Sequence, residues 1–196
     1  MPEATSAVID GKRCQYHYLT GKVLSSDKKK ETQVSSQSYG TNNNPQMRVT
    51  STTVDHHEFF LADAGGTERA FQFVDFDFPC REANTLTVIW AFAEGHKNGP
   101  YLAVRNHSTN EFHTIGPKQV AYLFKKPLWL RLGGALGILI VGFTIPGIGW
   151  LIGIGGMAAW LIYWQTRKMN AAKSLITGEA LRKIDAQVAH LKPMAA

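Results

Sequence analysis

The chain has 196 residues, which is enough for one domain with its own core and one smaller module, but too few for two large domains. Its formal charge of +6 is unevenly divided, because residues 1–114 carry 11 Lys/Arg and 13 Asp/Glu whereas residues 115–196 carry 10 and 2. The basic excess flanks an apolar segment and does not cluster in a nucleic-acid-binding motif, so we expect no nucleic-acid partner.

The two cysteines, Cys14 and Cys80, are too few for a disulfide framework or a cysteine-based zinc site, and reduced thiols are expected. Residues 1–10 lack the basic stretch and apolar run of a secretory signal. We therefore expect the N-terminal domain to stay in the cytoplasm.

The first part of the chain is predicted to be mainly β, with an N-terminal arm over residues 1–14 and a domain over 15–117. Short runs of β-branched and aromatic residues alternate there with turn-forming residues, without a helical period. The predicted strands are Tyr16–Leu24, Thr32–Ser38, Met47–Ala62, Glu68–Val74, Thr85–Ala93, Tyr101–Asn106 and Glu111–Ile115. We expect a small barrel of the OB or SH3-like kind, with a β-sandwich as the alternative.

Turn-forming residues divide the predicted strands. Ser25-Ser26-Asp27 and the stretch 40–45 are predicted breaks, and Ala64-Gly65-Gly66 is predicted to close a hairpin whose aromatic residues alternate inward. Pro79 is expected to prevent a central strand from continuing through 74–79.

The densest polar cluster is Asp55-His56-His57-Glu58. On a strand, His56 and Glu58 would lie on one face and Asp55 and His57 on the other. Zinc requires three or four converging ligands, and the spacing His-Glu-x-x-His is absent. Solvated strand residues, or one histidine hydrogen bonded across the sheet, are the preferred interpretation. His56, His57 and Glu58 remain the candidate ligands for a metal-dependent enzyme, and no cofactor is predicted.

Three other polar features have weaker catalytic or binding interpretations. Cys80 placed opposite His57 or His113 would suit nucleophilic catalysis, but no sequence signature supports the pairing. Asp75 and Asp77 are better explained as charges that protect a sheet edge. The triplet Lys28-Lys29-Lys30 is expected to be solvated, because Asp27 and Glu31 flank it.

A basic linker over residues 118–127 precedes an apolar segment of 37 residues from Leu128 to Trp164. As one helix the segment would be about 55 Å long, well beyond a hydrocarbon core of about 30 Å. Pro146 and Gly147 break it, so we predict a transmembrane hairpin of helices Leu128–Phe143 and Ile148–Trp164 with a turn at 144–147. Both helices are short, and a re-entrant hairpin is the open alternative.

Charges and aromatic residues give the predicted orientation. Lysine and arginine flank both ends of the hairpin and are absent from its turn, which predicts a multi-pass protein of the inner (plasma) membrane with both termini cytoplasmic. Arg131 is expected to extend its guanidinium to the lipid headgroups, and Trp160 and Trp164 to anchor the exit at the interface.

Glycines recur at four-residue steps in both helices, as Gly133/Gly137 and Gly149/Gly153. Such steps let helix backbones approach closely in lipid, either within the hairpin or between subunits of an oligomer, and the sequence leaves both open. Residues 165–196 are predicted to form an amphipathic helix, weakened near Thr177-Gly178, that lies on the membrane, binds a partner or docks on its own β domain.

These features favour a non-enzymatic, membrane-anchored binding or assembly module whose β domain engages a protein partner, with homo-oligomerisation as an added expectation. The expected partners are membrane lipid and a protein or a further copy of the chain. Two alternatives are kept: a small transport or channel component built from glycine-rich hairpins, and a metal-dependent enzyme that uses Asp55–Glu58.

Overall fold

A computed structural model describes residues 5–39, 46–94, 96, 98–125, 127–145 and 148–191. The described strands form one antiparallel sheet of seven strands in the order β4-β3-β2-β5-β6-β7, with β1 also beside β2. The strands are β1 Thr5–Ile9, β2 Lys12–Tyr39, β3 Gln46–Ala62, β4 Glu68–Val74, β5 Thr85–Ala93, β6 Tyr101–Asn106 and β7 Glu111–Thr114.

The sheet is open, so the expected closed barrel is wrong. Closure would require the end strands β4 and β7 to pair, and they stand at opposite ends of the strand order. Strand lengths differ too much for a small barrel, because β2 has 28 residues and β3 has 17 whereas β4 to β7 have between 4 and 9. The alternative of a two-sheet sandwich is not seen either, since the described strands belong to one sheet.

The bounds of β4, β5 and β6 are those predicted from the sequence, and the hairpin at Ala64-Gly65-Gly66 joins β3 to β4. The predicted break at Ser25-Ser26-Asp27 is wrong. A β-bulge between Val23 and Ser25 takes up one extra residue, and β2 then continues to Tyr39. Strand β1 was not predicted, and it turns into β2 through Asp10 and Gly11 at φ of 51° and 76°.

The chain divides into two compact units. Unit 1 contains the described parts of Met1–His17, Trp90–Leu102 and Thr114–Ala186, and unit 2 those of Tyr18–Ile89, Ala103–His113 and Gln187–Ala196. In unit 2 an aromatic core forms where Phe59 stacks on Phe71 and Phe73, with ring centroids 5.6 Å apart in each pair. Phe78 meets Phe59 edge to face, with ring centroids 5.6 Å apart, so the loop after β4 covers this face of the sheet.

The helices follow the sheet. They are α1 Pro117–Val120, a 3-10 turn Ala121–Phe124, α2 Leu128–Phe143, α3 Gly149–Thr177 and α4 Glu179–Ala189. Helix α2 has the predicted bounds. The second hairpin helix was predicted too short, because α3 passes Trp164 without a break and ends at Thr177, next to the glycine where weakening was expected. The segment predicted as a basic linker is helical as far as Phe124 and contributes buried Val120 and Leu123.

Unit 1 joins the beginning of the described chain to its helices. The Tyr16 hydroxyl donates a hydrogen bond to the Leu175 carbonyl oxygen at 3.1 Å, and Lys12 Nζ donates to the Leu123 carbonyl oxygen at 2.7 Å. The apolar stripe predicted for the C-terminal helix is buried at Ala172, Ile176, Ala180, Ile184 and Val188. The chain therefore covers most of this stripe itself.

Candidate functional site

The hairpin of α2 and α3 is held by backbone contact at glycines. A Cβ placed on Gly142 would lie 2.3 Å from Gly153 Cα, and one on Gly149 would lie 2.2 Å from the Gly142 carbonyl oxygen. Farther along, a Cβ on Gly134 would lie 2.5 Å from Cζ2 of Trp160. A side chain at Gly142 or Gly149 would overlap backbone atoms of the other helix and force the two helices apart, so the contact there depends on glycine.

The two predicted glycine pairs have different surroundings. Gly149 and Gly153 lie in the contact between α2 and α3. A Cβ on Gly133 or Gly137 would meet no atom within 4 Å, so these two glycines take no part in the contact. Their place on α2 is taken by Gly134 and Gly142, which the four-residue step did not identify. Pro146 and Gly147, the predicted turn, lie outside the described residues.

Away from this contact, the hairpin exposes large apolar side chains to its surroundings. They are Leu128, Trp129, Leu130, Leu132, Leu136, Ile140, Val141 and Phe143 on α2, and Trp150, Leu151, Ile152, Ile154, Ile162 and Tyr163 on α3, exposed by 40% to 71%. By length and composition, no single described helix qualifies as a membrane span; the bent pair Pro117–Phe124 and Leu128–Phe143, at 86°, qualifies only when taken together.

Aromatic residues and one ion pair mark the point where α3 leaves the hairpin. Trp160 and Tyr163 each contact Trp164, and the Arg167 guanidinium lies 5.4 Å from the Trp164 ring centroid. Arg167 Nη2 also pairs with Asp10 Oδ1 at 2.5 Å. This pairing raises the pKa of Arg167, mainly through the hydrogen bond to Asp10. The side chain of Arg131, which was predicted to reach the lipid headgroups, lies outside the described part of the chain.

The predicted cluster on β3 is split by the strand's alternation, as expected. His57 is buried and Glu58 is exposed, whereas His56 lies 3.6 Å from Glu31, measured from Nε2 to Oε2. Among the described residues no group of three or more His, Cys, Asp or Glu side chains is placed to hold a metal ion. The candidate ligands His56, His57 and Glu58 are therefore not brought together.

His57 is held by one hydrogen bond across the sheet. Its Nε2 atom lies 2.9 Å from Ser26 Oγ, and its ring packs against Phe59 and Phe78 with centroids 5.6 and 4.7 Å away. Its buried Nδ1 has no hydrogen-bond partner within the described chain. Burial, helped by Lys28, lowers the pKa of His57 and keeps the ring neutral.

Ser26 also contacts the thiol of Cys80, so the structure brings Cys80 near His57 through one intervening hydroxyl. Burial raises the pKa of Cys80, which disfavours the thiolate that a nucleophile needs. The other histidine predicted to lie opposite Cys80, His113, contacts Glu111 instead, at 3.4 Å between Nε2 and Oε2. In this cluster His57 is buried, and Ser26 and Cys80 are half-buried.

The second prominent surface is a two-stranded extension of the sheet, which we call the arm. It consists of Thr32–Tyr39 of β2 paired with Gln46–Thr53 of β3, from Thr32 opposite Thr53 to Tyr39 opposite Gln46. Its described side chains are all exposed, and Arg48 is the only charged residue. At about 3.4 Å per residue, the eight pairs reach about 27 Å.

Apolar residues lie on one face of the arm. Val34, Val49 and Met47 are 67%, 55% and 70% exposed, and the antiparallel register places all three on the same face. By the same alternation, this face continues the one that carries His57 and Phe59 in the body of unit 2. The arm's apolar face is therefore an uncovered continuation of the aromatic core.

Asp75 and Asp77 contact the sheet at Asp55 and Lys28, just before the arm begins. The Asp75 backbone N–H donates to the Asp55 carbonyl oxygen at 2.8 Å, and the Asp77 carboxylate pairs with the Lys28 ammonium. The hydrogen bond from Lys28 lowers the pKa of Asp77. Pairing along β3 thus reaches Asp55 and stops before the arm begins, and protection of a sheet edge by Asp75 and Asp77 stays a prediction.

No protein family, curated protein or solved structure matches this chain at a significant level.

Proposed function

We propose that this protein is a non-enzymatic, membrane-anchored binding and assembly module. The α2/α3 hairpin inserts into the inner (plasma) membrane from the cytoplasmic side and returns both chain ends to that side. The β sheet stays in the cytoplasm and engages a protein partner. The observation that carries the proposal is the exposed apolar surface of the hairpin.

The size of this apolar surface argues for lipid as its environment. Soluble monomers seldom expose a contiguous apolar patch of more than a few hundred Å², and fourteen large apolar side chains are exposed on α2 and α3 alone. Meanwhile the two helices contact each other through glycine backbone, which is the usual mode of helix association where lipid removes the hydrophobic drive. The outward surface of the hairpin consists of large apolar side chains, and the contact between its two helices consists of glycines.

The charges around the hairpin support the orientation. Lys118 and Lys125 precede α2, Lys168 and Lys173 follow the apolar part of α3, and Arg167 lies beside Trp164 at the exit. Basic residues near both ends favour the cytoplasmic side, with its anionic lipids. Insertion as a hairpin satisfies this preference at both ends at once.

The arm supports the binding part of the proposal. An isolated two-stranded ribbon is at best marginally stable in water, and this one carries exposed Val34, Val49 and Met47 on one face. Extended edges of this kind bind other strands by main-chain hydrogen bonding. The arm is therefore the part of the β sheet that we assign to partner binding.

Fractionation of the full-length chain tests the anchor. We expect it to remain in the membrane pellet after alkaline extraction. Two lysines placed on exposed hairpin positions, Leu136→Lys with Ile154→Lys, should move it to the supernatant, because each lysine near a helix centre costs about 2.5–3.5 kcal/mol on insertion. Val8→Lys, at an exposed apolar residue outside the hairpin, is the matched control and should stay in the pellet.

Fusing reporters to either end tests the topology, and both should report the cytoplasmic side. Reporters on opposite sides, or release of the unmodified chain by alkaline extraction, would overturn the proposal. Flux of a small ion through reconstituted vesicles, above that of empty vesicles, would favour the channel alternative instead.

A further inference from the structure

We infer that the arm pairs with the arm of a second copy of this chain, through the outer edge of its β2 strand, to give a four-stranded ribbon. The inference rests on the proposed assembly role and names the partner of that surface. Three features of the arm carry it: an open edge, an uncharged sequence that matches itself, and an apolar face that pairing would enlarge.

The outer edge of β2 is open along the arm. Strand β5 accompanies β2 only as far as Val23, whose N–H donates to the Asn84 carbonyl oxygen at 2.8 Å just before β5 begins at Thr85. Beyond the bulge, β3 is the only described strand beside β2. The backbone groups on the other side of Thr32–Tyr39 therefore have no strand partner in the described chain.

The register shows which backbone groups face this open edge. The Asp55 carbonyl oxygen accepts a hydrogen bond from Asp75, so Asp55 directs its backbone away from β2. Because the direction alternates along a strand, even-numbered residues of β3 bond to β2, and their partners on β2 are odd-numbered. The outward groups on the arm are thus those of the even-numbered residues 32–38, with Ser36 near the middle.

The edge lacks the usual protection against strand pairing. Proteins blunt exposed edges with charges, proline or bulges, and from Thr32 to Tyr39 this strand has none of the three. The charged triplet Lys28-Lys29-Lys30 and Glu31 lie immediately before it. These charges limit pairing to the arm and keep it away from the body of the sheet.

The sequence of the edge matches itself in the antiparallel direction. With Ser35 opposite Ser35 of the second copy, Gln33 faces Gln37, Thr32 faces Ser38 and Val34 faces Ser36, each of the second copy. No charge is buried or opposed in this register, and like residues form the amide and hydroxyl pairs that stabilise neighbouring strands. A two-fold axis through Ser35 makes the interface closed and isologous.

Pairing would also join the apolar faces of the two arms into one larger face. Each arm contributes Val34, Val49 and Met47 to one face of the ribbon, and four strands with an apolar face are more stable than two. Anchoring in one membrane confines the copies to a plane and raises their effective concentration. A second copy is therefore the partner that the edge, the charge distribution and the anchor all favour.

Disulfide formation in the native membrane tests the register. In a full-length chain carrying Cys14→Ala and Cys80→Ser, Ser35→Cys should give a covalent dimer under mild oxidation. Ser35 would form a non-hydrogen-bonded pair with Cα atoms about 4.5 Å apart, within the range of a disulfide. Thr50→Cys is the matched control, because Thr50 lies opposite Ser35 on the same arm and face but about 14 Å from its counterpart across three strand spacings.

A backbone variant separates pairing from mere proximity. Ser36→Pro removes an outward N–H and leaves the hydrogen bonds to β3 intact, so the dimer formed by Ser35→Cys should fall about tenfold, as expected from losing one hydrogen bond on each side of the axis. Ser36→Ala keeps the N–H and should leave the yield unchanged.

Four results would overturn the inference. They are a yield from Ser35→Cys no higher than from Thr50→Cys, a dimer from Ser51→Cys that indicates pairing through β3, an adduct whose mass is not twice that of the chain, and a dimer unaffected by Ser36→Pro. The same samples are fractionated in parallel. Absence of the dimer from protein in the membrane pellet refutes arm pairing alone, whereas protein in the supernatant refutes the anchor.

Discussion

Two stretches of the same helix, α3, both carry large apolar residues but have opposite surroundings. From Gly149 to Trp164 most of its large apolar residues are exposed, Ile152 by 52% and Ile162 by 65%. From Ala171 to Ile176 they are buried, and Leu175 is completely so. The apolar pattern predicts helix and burial in both places, but only the second stretch finds its cover within the chain. The first stretch is therefore the one for which lipid is the proposed cover.

The sharpest way to break this comparison is to remove a side chain from each stretch. Leu175→Ala should lower the free energy of unfolding by about 2–5 kcal/mol, because it leaves a cavity in a closed core. Ile162→Ala should change it by less than about 0.5 kcal/mol, since Ile162 has few neighbours within the chain. Unfolding of the full-length protein in one detergent measures both. Equal losses would contradict the division of α3 into a covered and an uncovered half.

The next effect concerns the face that α2 presents to α3. Gly142→Ala should destabilise the hairpin by about 1–3 kcal/mol, because the new Cβ would overlap the Gly153 backbone. Gly137→Ala meets open space and should stabilise α2 by about 0.5–1 kcal/mol through helix propensity. Thermal unfolding in detergent distinguishes the two. A destabilising Gly137→Ala would mean that this face is covered by a neighbouring subunit.

A smaller effect, on the free energy of unfolding at acid pH, distinguishes the buried core of unit 2 from its surface. Burial lowers the pKa of His57, so the unfolded state takes up a proton at higher pH than the folded state. Stability should therefore be full above the unfolded pKa of about 6.5 and fall as the pH drops below it. His57→Phe should flatten this dependence in denaturant titrations, whereas His56→Phe, on the opposite face, should keep it. A slope retained in His57→Phe would assign it to another group.

The smallest expected effect is at the exit of the hairpin. Asp10→Asn removes the ion pair with Arg167, whose side chain is 40% exposed, and should cost less than about 1 kcal/mol because water replaces much of the interaction. Arg167→Ala should cost more, since it also removes the contact with the Trp164 ring. Melting temperatures of the two variants in the same detergent test this order.

Where the pattern of side chains is local, the sequence was sufficient for the fold. β4, β5, β6 and α2 have their predicted bounds because alternation or an apolar run, closed by turn residues, defines each of them. Ser25-Ser26-Asp27 misled the prediction because its composition is that of a turn. In the structure Ser26 is instead satisfied across the sheet by His57, and a bulge keeps the strand continuous. The two strands of the arm were predicted, as Thr32–Ser38 and the beginning of Met47–Ala62, but their continuity with the first part of β2 was not.

The packing of the hairpin could be predicted only in part. A four-residue step identified Gly149 and Gly153, but the same rule selected Gly133 and Gly137 on the face of α2 that is turned away from α3. On α2 the glycine beside α3 is Gly134, which lies against the Trp160 ring, a contact between positions 26 residues apart in the sequence. Spacing within one helix carries no information about such a contact.

The hydrogen bond from Tyr16 to Leu175 has a consequence for how the protein is made. Its two ends are separated by 159 positions, so the ribosome must have synthesised the chain through Leu175 before the bond can form. The first part of β2, which carries Tyr16, is therefore synthesised before α2 and most of α3. If those helices enter the bilayer as they emerge, insertion comes first and completion of unit 1 comes last, and a fragment that stops before α3 would leave the buried tyrosine hydroxyl without its acceptor.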